Sequence, residues 1–307
     1  MNPQTSSAKQ VLVLGYGEMG HAMQTLLGER HHLQFWDKVE HKGVEQVTLE
    51  SAAPQADVVI YCLPVNPHRE ISLKLIALLK PDCIVISIAK GLDEAGHTVA
   101  HIFADIFARS HPYAVLHGPM ISEELRAGRP GFAELGTSGS VARDAVQQLF
   151  AGSALLTIPS DDITGINWSV ILKNVYAMAF GMADELGLGD NMRGFLMVMA
   201  LRELDAIVCQ LGGQSGSAYH LAGLGDLVTT ATSEDSHHHE LGRMLARGDR
   251  SAVSGEGVHT LQMIEKHGIF SWRDFALFSL VYAVVLEQLD PAAALDRFVH
   301  ESATRLT

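Results

Sequence analysis

Val11-Leu12-Val13-Leu14-Gly15-Tyr16-Gly17-Glu18-Met19-Gly20 decides the fold. Four apolar residues run into Gly-x-Gly-x-x-Gly, and a helix-like segment follows over 18–29. Each glycine has its own physical task. The first permits the tight turn, the second lets backbone approach a pyrophosphate, and the third lets the helix pack on the strand. The helix start then offers free N–H groups and the positive end of a dipole. Asp37 closes the next apolar run, 33–36, and stands 22 residues after Gly15, close to the ~20 at which an acid meets an adenosine ribose. A carboxylate there accepts from ribose hydroxyls and repels a 2′-phosphate, which favours NAD over NADP, with Lys38 beside it as the contrary feature. Glu18 is awkward next to a pyrophosphate and is expected to face solvent.

Outward from this turn the apolar runs 58–63, 84–88 and 114–116 alternate with helical patterns near 68–79, 94–109 and 140–151, and a further strand fits 155–158. Such alternation implies βαβ units and a mostly parallel sheet. After Pro159 the helical period takes over. Asp161 or Asp162 can cap a long helix over 167–186, ended by Gly187-Leu188-Gly189; Asp190 can cap a second over 192–211, closed by Gly212-Gly213. The expected fold is therefore α/β: a Rossmann-type, doubly wound, mostly parallel sheet over 1–160, followed by an all-helical domain over 161–307. With no low-complexity linker between them, a cleft between packed domains is the expected place for a small-molecule site.

Composition narrows the function. The 307 residues are 47% hydrophobic, and 35 acids against 22 Lys and Arg give a net charge of −13. This excludes wholesale disorder and argues against a nucleic-acid partner, which needs a basic face. Three scattered cysteines, Cys62, Cys83 and Cys209, are no disulfide framework and fit a reducing compartment. The polar opening, residues 1–10, carries no secretory signal, and the longest apolar stretch, 275–286, is too short for the ~18–20 residues of a membrane span. A cytoplasmic protein is expected. The apolar C-terminal helices are destined either for the core or for the surface of a homodimer.

Two lysines and an aspartate carry candidate chemistry. Lys90 ends the 84–88 run, where open α/β sheets bind ligands; a solvated loop lysine is the plain alternative. Lys173 sits inside Ser169-Val170-Ile171-Leu172-Lys173-Asn174-Val175-Tyr176, too apolar for a solvent-facing helix. It must snorkel, pair or line a cleft, and a partly dehydrated ammonium loses its proton more readily. Asp226, in Gly223-Leu224-Gly225-Asp226-Leu227, either orients Lys173 or caps a helix; Thr230 shares its face if the segment is helical.

With these segments in hand, the chain resembles the NAD-dependent glycerol-3-phosphate dehydrogenase family over nearly its whole length. The resemblance rests on the 15–20 turn, Ala89-Lys90-Gly91-Leu92, His117-Gly118-Pro119 with Ser122-Glu123-Glu124, Leu172-Lys173-Asn174, Gly187-Leu188-Gly189-Asp190-Asn191, residues 221–233, and Glu256-Gly257-Val258. It implies hydride transfer between a nicotinamide cofactor, NAD or NADP, and the phosphorylated three-carbon pair dihydroxyacetone phosphate and glycerol 3-phosphate. Lys173 matches the lysine that handles the proton at the substrate oxygen, and Lys90 one beside substrate and cofactor. Asp226 and Thr230 match residues that support them. Asn174, Gly118, Ser236, His237 and His238 fall on substrate positions. Gly15, Gly17, Glu18, Met19, Gly20, Asp37, Ser122, His237 and Glu256 fall on cofactor positions.

The sequence departs from the family at three places. Met19 stands where a large aromatic is usual, and Ser122 where alanine is. Ser236-His237-His238-His239 replaces serine-arginine-asparagine, whose arginine holds phosphate. A histidine cannot reproduce the bidentate fork of arginine. Weaker substrate binding, another cation, or another small carbonyl substrate are the alternatives. A metal at the three histidines lacks an acidic or cysteine partner at ligand spacing, so no metal is expected, and the 16 histidines are expected mostly at the surface. A nucleotide-binding regulator without catalysis would have no need of Lys173, Asp226 and Lys90.

Overall fold

The computed structural model describes residues 7–233 and 236–305, without the side chains of 303–305; residues 1–6 of the polar opening lie outside it. The chain divides into two compact units, one of residues 1–93 and 97–163, the other of 94–96 and 164–307.

Unit 1 is built on seven strands: β1 (Gln10–Leu14), β2 (His32–Trp36), β3 (Val58–Tyr61), β4 (Ile84–Ser87), β5 (Tyr113–His117), β6 (Gly131–Thr137) and β7 (Leu155–Ser160). Their order is β2-β1-β3-β4-β5-β6-β7. Only the β5–β6 pair is antiparallel; the other neighbours run parallel. Helices α1 (Glu18–Leu27), α2 (Leu49–Ala52), α3 (His68–Leu75), α4 (Val99–Phe107), α5 (Ser122–Arg126) and α6 (Ser140–Phe150) complete the unit. Val13, Met23, Leu27, Ile60, Ile86, Leu116, Leu135 and Phe150 form one buried cluster. β1, β3, β4 and β5 are buried along most of their length, as near-continuous apolar strands of a doubly covered sheet must be. The chain leaves β1 toward β2 and returns to β3 on the other side of β1. That reversal makes a crevice outside the carboxyl ends of β1 and β3.

Six of these strands coincide with the apolar runs of the sequence. The other, β6, is not foreshadowed, because GFAELGT has neither a β-branched run nor a clean alternation, and its Glu134 is buried. The helix expected from 94 begins only at Val99, because Thr98 is its cap: the hydroxyl accepts the His101 N–H at 3.3 Å.

Unit 2 is helical: α7 (Ile163–Glu185), α8 (Gly189–Gln210), α9 (Asp226–Thr232), α10 (His237–Ala246), α11 (Glu256–His267), α12 (Ala276–Val285) and α13 (Pro291–Arg305). Every residue of α7 from Gly165 to Ala183 is buried, which is what a helix apolar on all sides requires. Two glycines bring α7 and α10 together. A Cβ on Gly181 would collide with the His239 carbonyl, and one on Gly242 with that of Met178. The apolar stretch 275–286 becomes α12, with Leu277, Phe278, Val281 and Val284 fully buried in the core.

Two cap expectations fail. α8 starts at Gly189, three residues early, and Asp190 lies in its first turn, bonded to Arg193 at 3.0 Å instead of capping. Asp226 is not a cap either: Gly225 holds that position, and the carboxylate turns inward. The histidines are not confined to the surface. His31, His68, His111, His117 and His239 are buried, and the rings of His31, His68, His111 and His239 have polar neighbours; His239 Nε2, for example, lies 2.7 Å from Asp184 Oδ2.

Candidate active site

In unit 1 the glycine turn has the shape its spacing requires. Gly15 has φ +95°, and a Cβ there would crowd the Cys62 carbonyl. A Cβ on Gly20 would strike the Gly15 carbonyl, so helix and turn touch backbone to backbone. Gly17, by contrast, faces open space, and no side chain caps α1. The first-turn N–H groups of α1 thus stand beside room that a pyrophosphate could fill. This is the observation by which a dinucleotide fits here. Glu18 is exposed and bonded to Arg126 at 2.7 Å, which accounts for the acid so near this cradle. Met19 packs partly buried against the core. Asp37, just past β2, accepts the Tyr16 N–H at 2.7 Å and the Val39 N–H at 3.1 Å, with His41 Nε2 3.0 Å away. Burial works to raise its pKa, but the two N–H groups and His41 outweigh it and hold the carboxyl below its usual range.

Lys90 follows β4 at the same edge, half-buried, and Gly91 after it turns with φ +130°. Gly118 follows β5 with φ +156° and lies so close to the Phe132 carbonyl that no side chain fits. Ser122 is buried at the first position of α5.

One group in this unit went unread in the sequence. His68 is fully buried at the start of α3. Its Nδ1 lies 2.9 Å from the Pro64 carbonyl and its Nε2 2.9 Å from Ser87 Oγ. A carbonyl only accepts, so Nδ1 carries the proton and Nε2 receives the Ser87 hydroxyl. Ser87 Oγ in turn accepts the Ala89 N–H at 3.1 Å. Burial pushes the His68 pKa down to about 4, so the ring is neutral at pH 7. The loop after β3 and the segment leading into Lys90 are joined through this ring. The only signal in the sequence was a histidine directly after Pro67 at the head of a helix.

In unit 2 the expected residues do converge. Lys173, at mid-α7, is 4% exposed and Asp226 3%. Nζ lies 3.2 Å from Asp226 Oδ2 and donates to Thr230 Oγ1. Asp226 and Thr230 are one turn apart on α9, so a single helix face presents both to the ammonium. Two long-range partners on a buried cation are what its burial demands. The neighbouring Asn174 donates Nδ2–H to Glu256 Oε2 at 3.4 Å, and Gly257 packs against the Asn174 carbonyl.

The residues after Asp226 take local work. Ser236 caps α10, its hydroxyl accepting the His239 N–H at 3.3 Å. His238 Nε2 accepts the Gly257 N–H at 3.1 Å, in the first turn of α11. His237 is exposed and its Nε2 lies 3.1 Å from the Ser254 carbonyl. Among the described residues no three His, Cys, Asp or Glu side chains are grouped to hold a metal.

Known proteins resemble the chain over nearly its whole length. The family model for the NAD-dependent glycerol-3-phosphate dehydrogenase N-terminus matches residues 38–138, and that for the C-terminus matches 162–296. Glycerol-3-phosphate dehydrogenase [NAD(P)+] of Gloeobacter violaceus is 30% identical over 295 residues, covering 93% of this chain and 95% of that protein. The enzyme of the same name from Thermosynechococcus vestitus is also 30% identical, over 93% and 94%. In fold, the crystal structure of glycerol-3-phosphate dehydrogenase from Coxiella burnetii superposes with a TM-score of 0.82 at 22% identity, covering 95% of this chain and 99% of that one. A ketopantoate reductase from Ralstonia eutropha reaches 0.55 at 16% identity, over 95% of this chain and 100% of that one. Matched by both family models and by these relatives along nearly its full length, the chain belongs to the NAD-dependent glycerol-3-phosphate dehydrogenase family.

Proposed function

We propose that the chain is an NAD(P)-dependent oxidoreductase that interconverts dihydroxyacetone phosphate and glycerol 3-phosphate, with Lys173 as the proton-transferring group. The observation that carries the proposal is the buried Lys173 ammonium, held between Asp226 and Thr230. Even a paired cation this far from water adds little net stability, and proton transfer at a substrate oxygen is a task that suits such a group.

Unit 1 binds the dinucleotide through Gly15, Gly17 and Gly20, with the N–H groups of α1 on the pyrophosphate. When bound, the cofactor supplies or accepts the hydride. Unit 2 supplies the proton: Lys173 donates it to the carbonyl oxygen during reduction and takes it back during oxidation. Asp226 fixes the ammonium by charge and Thr230 by its hydroxyl. Lys90 adds positive charge where negative charge grows on the substrate oxygen. Asn174, Gly118 and the His237–His238 pair contact the substrate; Ser122 and Glu256 contact the cofactor. The alternative that His237 raised, a different carbonyl substrate, has no support among the relatives. No helix of the described residues is long and apolar enough to cross a membrane, and with reduced cysteines a cytoplasmic location is the natural one.

The test is NADH and NADPH oxidation by the purified chain with dihydroxyacetone phosphate, wild type against Lys173→Ala. Turnover should fall about 10²–10⁴-fold, the span of a positioned acid–base group, while dinucleotide binding persists. Equal loss of both, or full activity in the variant, removes the proposal.

A further inference from the structure

His68 is a titratable ring in the core of unit 1 that the proposed reaction does not use. It lies at the first position of α3, against Tyr61, with ring centroids 4.6 Å apart, and Phe103 is 6.0 Å away. The Tyr61 hydroxyl is paired elsewhere, with Ser72 Oγ at 2.9 Å. The ring has no exposed surface to offer to a substrate or cofactor.

Three hydrogen bonds run through it in one direction. The Ala89 N–H donates to Ser87 Oγ at 3.1 Å, the Ser87 hydroxyl to His68 Nε2 at 2.9 Å, and His68 Nδ1–H to the Pro64 carbonyl at 2.9 Å. The direction is set at the far end, because a carbonyl only accepts. With its proton committed to the ring, Ser87 Oγ keeps its lone pairs for Ala89. Such a chain is polarised along its length, and His68 and Ser87 are both shut off from water.

The position of this chain matters because Lys90 is the next residue. The β4 ladder ends at Ser87 on both sides, opposite Tyr61 in β3 and Val115 in β5. Past it, the Ile88 N–H reaches the Tyr61 carbonyl at 3.3 Å. Beyond Lys90 the backbone turns at Gly91, φ +130°, where a Cβ would meet only Val65, at 3.8 Å. The Ala89 bond therefore continues the hold of the sheet up to the residue before Lys90.

We propose that His68 is a positioning residue for the reaction: through Ser87 and the Ala89 N–H it fixes the backbone from which Lys90 reaches the substrate. The inference rests on the role given to Lys90 above and goes beyond it, to a group that works without touching substrate or cofactor. A hydrocarbon at 68 accepts nothing, so the Ser87 hydroxyl swings to another acceptor and Ala89 loses its fixed partner. The lysine then drifts, and a displacement of ~1 Å in a group that stabilises charge costs up to about a hundredfold in rate.

The experiment is a double-mutant cycle on the full chain, reading kcat and KM for dihydroxyacetone phosphate reduction and the affinity for NADH. The proteins are wild type, His68→Leu, Ser87→Ala, Lys90→Ala, and each of the first two substitutions combined with Lys90→Ala. His68→Leu and Ser87→Ala should each lower kcat/KM about ten- to hundredfold. His68→Gln, which still accepts the Ser87 hydroxyl, should stay close to wild type. In the Lys90→Ala background neither substitution should cost further activity, whereas a merely structural loss lowers both backgrounds alike. Equal losses in the two backgrounds overturn the proposal, as does a wild-type rate in His68→Leu while Lys90→Ala is impaired. Ser87→Ala leaves the buried ring in place, so its cycle decides should His68→Leu fail to fold. A wild-type rate in Lys90→Ala marks the other failure, that of the role given to Lys90, and the proposal falls with it.

Discussion

Lys173 Nζ and Asp226 Oδ2 lie 3.2 Å apart with both side chains almost wholly out of water. The pair joins the middle of α7 to the first residue of α9, 53 residues further along the chain. A buried ion pair contributes little net stability, because desolvation offsets most of its Coulomb gain. Its value here is to keep a charged amine fixed inside unit 2, next to Asn174 and the start of α11.

Breaking that pair from one side should be expensive. Asp226→Ala leaves the ammonium buried and uncompensated, and should cost about 3–5 kcal/mol. The double variant Lys173→Met/Asp226→Leu should recover most of that stability while remaining inactive. Urea denaturation of the three proteins decides it; equal stability of wild type and Asp226→Ala would show that the pair is not buried as described.

His68 makes stability depend on pH. Its folded pKa is lowered to about 4 by burial, against about 6.5 in an unfolded chain. The unfolded state therefore binds a proton first as pH falls. The contribution of the neutral ring is complete above about 6.5 and is lost progressively down to about 4. Two and a half pKa steps correspond to roughly 3 kcal/mol. In His68→Gln, which keeps a donor and an acceptor but cannot titrate, the slope of unfolding free energy between pH 4 and 6.5 should flatten.

The α7–α10 contact should tolerate no side chain. Gly181→Ala and Gly242→Ala each place a methyl group against a backbone carbonyl of the other helix. A backbone cannot step aside as a flexible side chain can, so each should destabilise by about 1–3 kcal/mol, the usual range for overpacking. Because α7 carries Lys173, turnover should fall as well. Thermal melts beside kcat check both; an unchanged melting temperature would show that the helices can separate cheaply.

Substrate affinity should respond to the side chain at 237. The His237 Nε2–H serves the Ser254 carbonyl, which leaves the ring without a fork of donors for a phosphate. His237→Arg should bind dihydroxyacetone phosphate about ten- to hundredfold more tightly, the worth of a charge-assisted pair. KM for both proteins is the measurement, and equal values would exclude His237 from phosphate binding.

Much of the candidate site is legible in the amino-acid sequence. Gly15, Gly17 and Gly20 were legible because their roles are set by local backbone geometry. Lys173 was legible as an anomaly, a charge inside an apolar helix. Ser236 and His238 were read as substrate residues, and the structure gives both a helix-capping bond that spacing alone could not reveal. Asp190 was read as a cap by its type and position, but the left-handed Gly189 before it, φ +77°, starts the helix differently. β6 was lost because its pairing with β5 and β7 is long-range, and its few residues carry no period of their own.

The order of apolar runs, glycines and helical periods was enough by itself to dictate a doubly wound sheet followed by helices, because those signals act over a few residues. What those signals could not dictate was which side chains separated by dozens of residues would share a hydrogen bond. That Asp226 turns inward to Lys173 rather than capping its helix was decided by the packing of α7 against α9. That Asp37 accepts the Tyr16 N–H besides Val39 and His41 of its own loop, and that His68 bridges two loops as a neutral ring, followed likewise from contacts between segments apart in the chain. The reason is the low dielectric of the interior: a buried polar group must find a partner wherever the chain brings one, and sequence distance does not enter that requirement.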